Sequence, residues 1–272
     1  MSRRPAPAKI NLALVVGAAE AGGRHDLATV YQRIDLCDRI TVEPSAQPEI
    51  TGFAGDTLVS RALEALGDAV NAAPGWRVHI DKKIPIAAGL GGGSSDAATA
   101  LLLANETLER PLGPPELHPL AADLGADVPF FLNPGPQLGE GDGTRLTPVD
   151  LPQDYWVVVL LPHAASKPST ASVYAAFDAR GGSRGYDARR SALLAALAGI
   201  RKARDLGALP PNDLAASPLA GELRQLGAFR ADVTGAGPAV YGLFVHERRA
   251  REAARELTGY GRAWVTVPAW YG

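Results

Sequence analysis

The chain has 272 residues, with 27 Lys plus Arg against 29 Asp plus Glu and a single cysteine. That length allows one large domain or two modest ones. A near-neutral charge with no basic cluster argues against a nucleic-acid or anionic-membrane surface, and one thiol excludes an intramolecular disulfide. The longest apolar runs, such as residues 156–161, fall far short of the roughly 20 residues of a membrane span. Residues 1–5 lead into an alternating segment without a signal-peptide core, so a cytoplasmic protein is expected.

Residues 6–16 alternate as a half-buried strand, with Lys9 and Asn11 pointing one way and Ile10 and Leu12 the other. After a turn at residues 21–24, residues 25–42 read as two strands broken around residues 37–39. Leu58, Ala62, Ala65, Leu66 and Ala69 have the spacing of a helix over residues 58–70, and residues 76–80 alternate as a strand. Helices are expected over residues 94–108 and 117–124, the second stopped by a left-handed Gly125. Residues 133–152 are dense in Gly, Pro and Asp, which is turn chemistry and puts a lobe boundary near Asp150, between a domain over 1–150 and one over 151–272. Beyond it come a strand over 155–161, a helix over 191–206, strands ending at Val233 and spanning 240–245, a helix over 248–257 and a strand over 263–267. Helices alternating with strands in so short a chain predict a two-layer α/β sandwich.

The most informative stretch is Pro85-Ile86-Ala87-Ala88-Gly89-Leu90-Gly91-Gly92-Gly93-Ser94-Ser95-Asp96, which follows a strand and opens a helix. Glycines let backbone approach a ligand, and the free N–H groups of a helix start carry partial positive charge, so the segment suits an anion such as phosphate. It lacks the Gly-Lys-Ser/Thr of a Walker loop and the third glycine of a dinucleotide fingerprint. The competing reading is a tight turn in which Ser94, Ser95 or Asp96 only caps the helix. A second glycine turn, Thr234-Gly235-Ala236-Gly237, joins two strands and taken alone needs no function. The lone histidines His79, His118, His163 and His246 carry no signal, and no His, Cys or carboxylate cluster has metal-cage spacing.

Pro7-Ala8-Lys9-Ile10-Asn11-Leu12, the residue 85–98 segment and Thr234-Gly235-Ala236-Gly237 together resemble the three ordered motifs of the GHMP small-molecule kinases. The resemblance covers nearly the whole chain. It implies an α+β two-domain fold, an N-terminal domain like ribosomal protein S5 domain 2 followed by an α/β sandwich, with the site in the cleft between them. It implies ATP held by Pro85, Gly89, Leu90, Gly91, Gly92, Gly93, Ser94 and Ser95, and Mg2+ arriving with the nucleotide. Lys9 falls on the family's catalytic lysine and Asp127 on its general base.

The triple glycine and the Gly-Ala-Asp-Val-Pro-Phe-Phe segment at 125–131 resemble the members that phosphorylate the 2-hydroxyl of a diphosphocytidyl-linked sugar alcohol in non-mevalonate isoprenoid synthesis. That likeness implies acceptor contacts at Asn11, His25, Tyr31, Tyr174, Gly235 and Gly237, with the two tyrosines sandwiching the base. The alternatives are a GHMP kinase with a homoserine- or mevalonate-type acceptor, or a non-catalytic ligand sensor on the same fold. A monomer or homodimer without nucleic-acid or membrane partners is expected. Four departures stand out: Arg24 replaces the family's Tyr before His25, Ala236 and Thr234 stand where the family has Ser, and the Asp56-Thr57-Leu58-Val59 segment near the adenosine pocket lacks the family's Asn.

Overall fold

The computed structural model describes residues 2–20, 23–53, 55, 57–71, 75–163 and 169–269. Residues 21–22 of the turn expected at 21–24, and Asp56 of the Asp56–Val59 segment, lie outside the described residues; Thr57, where the family has Asn, opens α1 (Thr57–Ala69).

Two long strands, β1 (Ser2–Ala19) and β2 (His25–Pro44), form an antiparallel hairpin. β2 is continuous where two strands were expected. What looks like a break in the sequence is a bulge: Pro7 pairs with Cys37 and Ala8 with Ile34, leaving Asp35 and Leu36 extra. The bulge turns the Asp35 N–H away from β1 onto the Val267 carbonyl at 2.9 Å, and Ala269 N–H reaches the Arg33 carbonyl at 3.0 Å, so the last described residues are laced to β2. β1 is not half-buried either, since residues 6–17 are all buried. One stretch of it, Ala8, Ile10 and Leu12, packs with Val157, Val159 and Tyr241 of the C-terminal sheet, while Lys9 and Asn11 face the other way.

β2 also pairs with β4 (Trp76–Asp81) and β5 (Gln137–Gly141), giving the order β3-β4-β2-β5-β6 with β1 set off against β2; β3 is Glu49–Thr51 and β6 is Arg145–Pro148. Helices α1 (Thr57–Ala69), α2 (Gly92–Asn105) and α3 (Pro114–Leu124) cover this sheet through Leu66, Leu101, Leu103 and Leu117. Burying one such leucine contributes roughly 1.5 to 3 kcal/mol, so the sheet and the helix carrying the glycine loop are locked together. α3 ends with Gly125 in extended backbone, φ 164° and ψ 153°, and not in the left-handed stop expected for it.

The hairpin β5–β6 was not expected, because its glycines read as turn residues. Gly139 is in a strand, where a Cβ would lie 2.7 Å from the Tyr31 ring. The residue makes room for a side chain, not for a turn.

The second sheet has the order β10-β7-β9-β8, with β7 Trp156–Pro162, β8 Arg230–Val233, β9 Val240–Phe244 and β10 Gly261–Thr266. One face packs on β1 and α5 (Tyr186–Gly199), the other on α6 (Pro218–Gln225) and α7 (Glu247–Glu256). α5 starts earlier and stops sooner than the expected 191–206, its tail being a separate 3-10 turn, Ala203–Ala208. Helix α4 (Thr170–Ala179) and α6 were not expected. α4 is capped by the Ser169 hydroxyl, which accepts from Ser172 N–H at 3.1 Å, and buries Val173 and Phe177, one turn apart.

Candidate active site

A cleft of about 890 Å3 is lined by residues of β1, β2, the glycine loop, the segment after α3, α4 and the Gly235 turn. Its size is near the upper end of small-molecule sites.

The glycine loop is built by close backbone approach. Gly89 sits at φ +82°, and a Cβ there would lie 2.4 Å from the Thr234 carbonyl; Gly91 sits at φ +70° with a Cβ position 2.9 Å from Lys9 Cγ. Both demand glycine. Lys9 N–H bonds the Leu90 carbonyl at 2.9 Å and Ala239 N–H the Ala88 carbonyl at 3.0 Å, stitching the loop to β1 and to the second glycine turn. Helix α2 has Gly91 as its N-cap and no side-chain cap. The capping alternative for Ser94, Ser95 and Asp96 therefore fails. The N–H groups of Gly92, Gly93 and Ser94 precede the first helical bond, from Ser95 N–H to the Gly91 carbonyl at 2.9 Å. They are donors without an internal acceptor by helix geometry, at the positive end of the helix dipole.

Pro85, Gly89, Leu90, Gly91, Gly92, Gly93 and Ser94 all line the cleft. Ser95 does not: it is fully buried, and its hydroxyl has no partner among the described residues.

Beside the loop, Lys82 Nζ bridges Asp38 at 2.6 Å and Asp96 at 2.7 Å, both carboxylates being buried. Burial pulls the Lys82 ammonium down, but Asp96 and Asp38 hold it above its ordinary value. Burial, with the Asp38 charge, pushes the Asp96 carboxyl up to about 8 against the pull of Lys82. Phe53, Leu58 and Ile86 give this part of the cleft an apolar wall.

The centre is formed where Lys9 and Asn11 project from β1. Lys9, expected on a solvated face if it had no role, is 3% exposed. Its ammonium donates to Asn11 Oδ1 at 2.7 Å and pairs with Asp127 Oδ2 at 3.3 Å. Asn11 is fixed in turn: its Nδ2 donates to Thr29 Oγ1 at 2.8 Å, and its backbone N–H to Thr234 Oγ1 at 3.1 Å. Asp127 follows Gly125, and the segment after it is held by Arg33, whose guanidinium donates to the Phe130 carbonyl at 3.0 Å and to that of Asn133. Burial without a counter-charge lowers Arg33 to about 10.

Tyr31 is placed differently from the base-stacking ring expected of it. Its hydroxyl donates to Asp127 Oδ1 at 3.1 Å, one face stacks on Phe130 with centroids 4.9 Å apart, and Lys9 Nζ lies over the ring at 5.6 Å. Burial, then Asp127, raises its pKa well above the ordinary value, so it remains a donor. With one face on Phe130 the ring is 3% exposed at the cleft wall. Tyr174 instead meets His25, centroids 4.6 Å apart, and His25 Nε2 is 2.8 Å from Asp178 Oδ1. Burial, with Asp127, raises Tyr174 to about 12. Gly235 lines the cleft and its carbonyl accepts from Asn212 Nδ2 at 2.7 Å, whereas Gly237 is buried behind it.

Thr29 and Asn212 were not singled out from the sequence, having no motif of their own. Asp178 had a signal: Ser169 followed by Val173 and Phe177 is a capped helical pattern that would have placed it one turn beyond Tyr174. Among the described residues, no group of three or more His, Cys, Asp or Glu side chains is arranged to hold a metal ion, and no helix is long and apolar enough to cross a membrane.

A glycine-rich helix start beside a lysine–aspartate pair, in a cleft between a helix-covered sheet and an α/β sandwich, is the apparatus of a small-molecule kinase. Residues 57–135 match the GHMP kinases N terminal domain and residues 200–263 the GHMP kinases C terminal domain. The chain is 37% identical over 270 residues to a 4-diphosphocytidyl-2-C-methyl-D-erythritol kinase of Geobacter metallireducens, covering 93% of this chain and 92% of the relative. It is 39% identical over 283 residues to one of Solidesulfovibrio magneticus, covering 94% and 93%. A crystal structure of a 4-(cytidine 5'-diphospho)-2C-methyl-D-erythritol kinase superposes with a TM-score of 0.79 at 33% identity over 98% of this chain and 99% of that one. A mevalonate kinase superposes with a TM-score of 0.74 at 16% identity, a likeness of fold alone. The chain belongs to the 4-diphosphocytidyl-2-C-methyl-D-erythritol kinase family of GHMP kinases.

Proposed function

We propose that this protein transfers the γ-phosphoryl group of ATP to the 2-hydroxyl of 4-diphosphocytidyl-2-C-methyl-D-erythritol, in a cytoplasmic step of isoprenoid synthesis, with the two lobes meeting near Asp150. The observation that carries the reading is the Lys9–Asp127 pair beside an uncapped helix start, together with the family membership.

Asp127 accepts the proton of the acceptor hydroxyl as that oxygen attacks the γ-phosphorus. The Tyr31 hydroxyl on Oδ1 and Lys9 on Oδ2 fix the carboxylate, so the proton goes to an oxygen whose direction is set in advance. Such a positioned base contributes typically 10²- to 10⁴-fold. Lys9, about 3 Å from the base and held by Asn11, places positive charge where the equatorial oxygens of the phosphoryl group gather negative charge. The N–H groups of Gly92, Gly93 and Ser94 bind the phosphates of the nucleotide. Among the described residues no group of His, Cys, Asp or Glu side chains is arranged to cage a metal ion; Mg2+ arriving with ATP would be held through the phosphates and would neutralise part of their charge.

His25, Tyr174 and Asp178 form the recognition surface for the cytosine. Tyr174, half-buried, gives the base a ring face worth roughly 1 to 3 kcal/mol. Tyr31 takes no part in stacking; it is a positioning residue for Asp127. The test is product analysis: incubation with ATP and the cytidylated acceptor yields a phosphomonoester on the 2-oxygen, read by phosphorus NMR. A product phosphorylated elsewhere, or ATP hydrolysis without transfer, would contradict the reading.

A further inference from the structure

The cationic inventory of the cleft is short, and it does not balance the charge its ligands bring. Among the described lining residues the lysines and arginines are Lys9, Arg24 and Lys82. Lys9 is held between Asn11 and Asp127, and Lys82 between two buried aspartates, with side-chain exposures of 4% and 16%. Neither can leave without stranding a buried carboxylate or dissolving the centre. A diphosphate linked at both ends carries two negative charges at neutral pH, and the helix start that could meet an anion is the place for the nucleotide.

Arg24 is different in each respect. It directly precedes His25, whose ring lies against Tyr174, so it stands beside the proposed cytosine surface. Its side chain is 62% exposed, and among the described residues its ion pair runs across the cleft mouth to Asp142 Oδ2 at 2.5 Å. Asp142 does not depend on it: Oδ1 accepts from Thr144 N–H at 3.1 Å and from Thr144 Oγ1 at 2.6 Å. These bonds, with Arg24, hold the Asp142 carboxyl below its ordinary value although burial opposes them. If Arg24 swings away, one carboxylate oxygen remains bonded and the other, partly exposed, takes water. A one-point exposed pair is weak, whereas a guanidinium meets two phosphate oxygens with two parallel donors.

We propose that Arg24 is the acceptor-binding residue that receives the diphosphate of the cytidylated substrate, exchanging its resting partner Asp142 for the phosphate oxygens. This rests on the acceptor reading above, and it adds to it a charge-recognising residue that neither the glycine loop nor the Lys9–Asp127 pair supplies.

The test is calorimetry with CDP and with cytidine as probes, the ATP site being filled with a saturating non-hydrolysable ATP analogue. Because Arg24 is exposed, Arg24→Gln leaves the fold intact. It weakens CDP binding roughly 10- to 100-fold, the usual worth of hydrogen bonds to a charged group, and leaves cytidine and the ATP analogue unchanged. Asp142→Asn, which removes the competing carboxylate, strengthens CDP binding. Equal losses for CDP and cytidine in Arg24→Gln would overturn the proposal by assigning Arg24 to the base, and unchanged CDP binding would overturn it outright. Weaker CDP binding in Asp142→Asn would overturn the exchange. A wild-type protein that binds neither probe overturns the acceptor reading itself, a result distinct from a wild type that binds CDP and a variant that does so equally well.

Discussion

The role of Tyr31 separates two accounts of the centre, and Tyr31→Phe distinguishes them. The substitution removes one atom, the hydroxyl that donates to Asp127 Oδ1 at 3.1 Å, and keeps the ring on Phe130. Hydrogen bonds to a charged partner contribute roughly 1.5 to 3 kcal/mol. Asp127 is about one-third exposed and retains Lys9, so the lower part of that range applies. Lys9 still orients Oδ2, which offsets part of the lost orientation. The net expectation is a fall in kcat of roughly 5- to 30-fold, about 1 to 2 kcal/mol at 1.36 kcal/mol per tenfold, with the KM values of both substrates little changed. Steady-state kinetics with each substrate varied in turn measures this, and urea unfolding checks that stability falls by no more than about 2 kcal/mol, so that the variant is folded in the assay. A silent Tyr31→Phe would refute the positioning argument and return the ring to stacking or packing alone. A rise in acceptor KM with kcat intact would refute it as well.

Asp127→Asn keeps the shape and removes the base, so kcat falls by roughly 10² to 10⁴ while nucleotide binding by calorimetry is unchanged; near-wild-type turnover would remove Asp127 from the mechanism. Gly93→Val is the cleaner probe of the glycine loop, because a Cβ at Gly93 meets only Leu58 at 3.5 Å, whereas one at Gly92 would press on Ile84 at 3.0 Å and confuse binding with packing. ATP affinity collapses in a folded Gly93→Val protein, and full retention would leave the loop as mere architecture. Tyr174→Ala weakens the cytidylated acceptor by roughly 1 to 3 kcal/mol and spares ATP, which separate dissociation constants for the two ligands would show. The raised Asp96 carboxyl stabilises the fold in its protonated state, and that stability is lost as pH climbs from roughly 4 toward about 8. Wild type therefore loses more stability than Asp96→Asn between pH 6 and 9 in urea melts; parallel pH profiles would contradict the shift.

What the sequence made legible follows from what each feature depends on. The roles of Lys9 and Asp127 came from the family resemblance, whereas the glycine loop was readable because its chemistry is local, glycines placed just ahead of a helix start, and alternation puts Lys9 and Asn11 on one face of β1. The bulge at Asp35 was not, because its cause is a bond to Val267 from the far end of the chain. Gly139 looked like a turn residue, yet it lies in a strand where a Cβ would crowd Tyr31, 108 residues earlier in the chain. For the same reason the Tyr31 ring was expected to be open: nothing near it in the sequence says that Phe130 covers one face. Ser95 is the converse case, a residue inside a clear motif that the 3.6-residue turn of α2 rotates away from the cleft.

The central claim is the identity of the acceptor, and it is tested most directly by kcat/KM for ATP-dependent phosphorylation of 4-diphosphocytidyl-2-C-methyl-D-erythritol beside mevalonate and homoserine under identical conditions. A site that binds a nucleotide base against Tyr174 and His25 discriminates by roughly 10⁴-fold or more against acceptors that leave its polar groups unpaired. Turnover at a rate of enzymatic significance is expected for the cytidylated acceptor alone. Comparable kcat/KM for mevalonate or homoserine, or no transfer to the cytidylated acceptor by a protein that binds ATP, would contradict it.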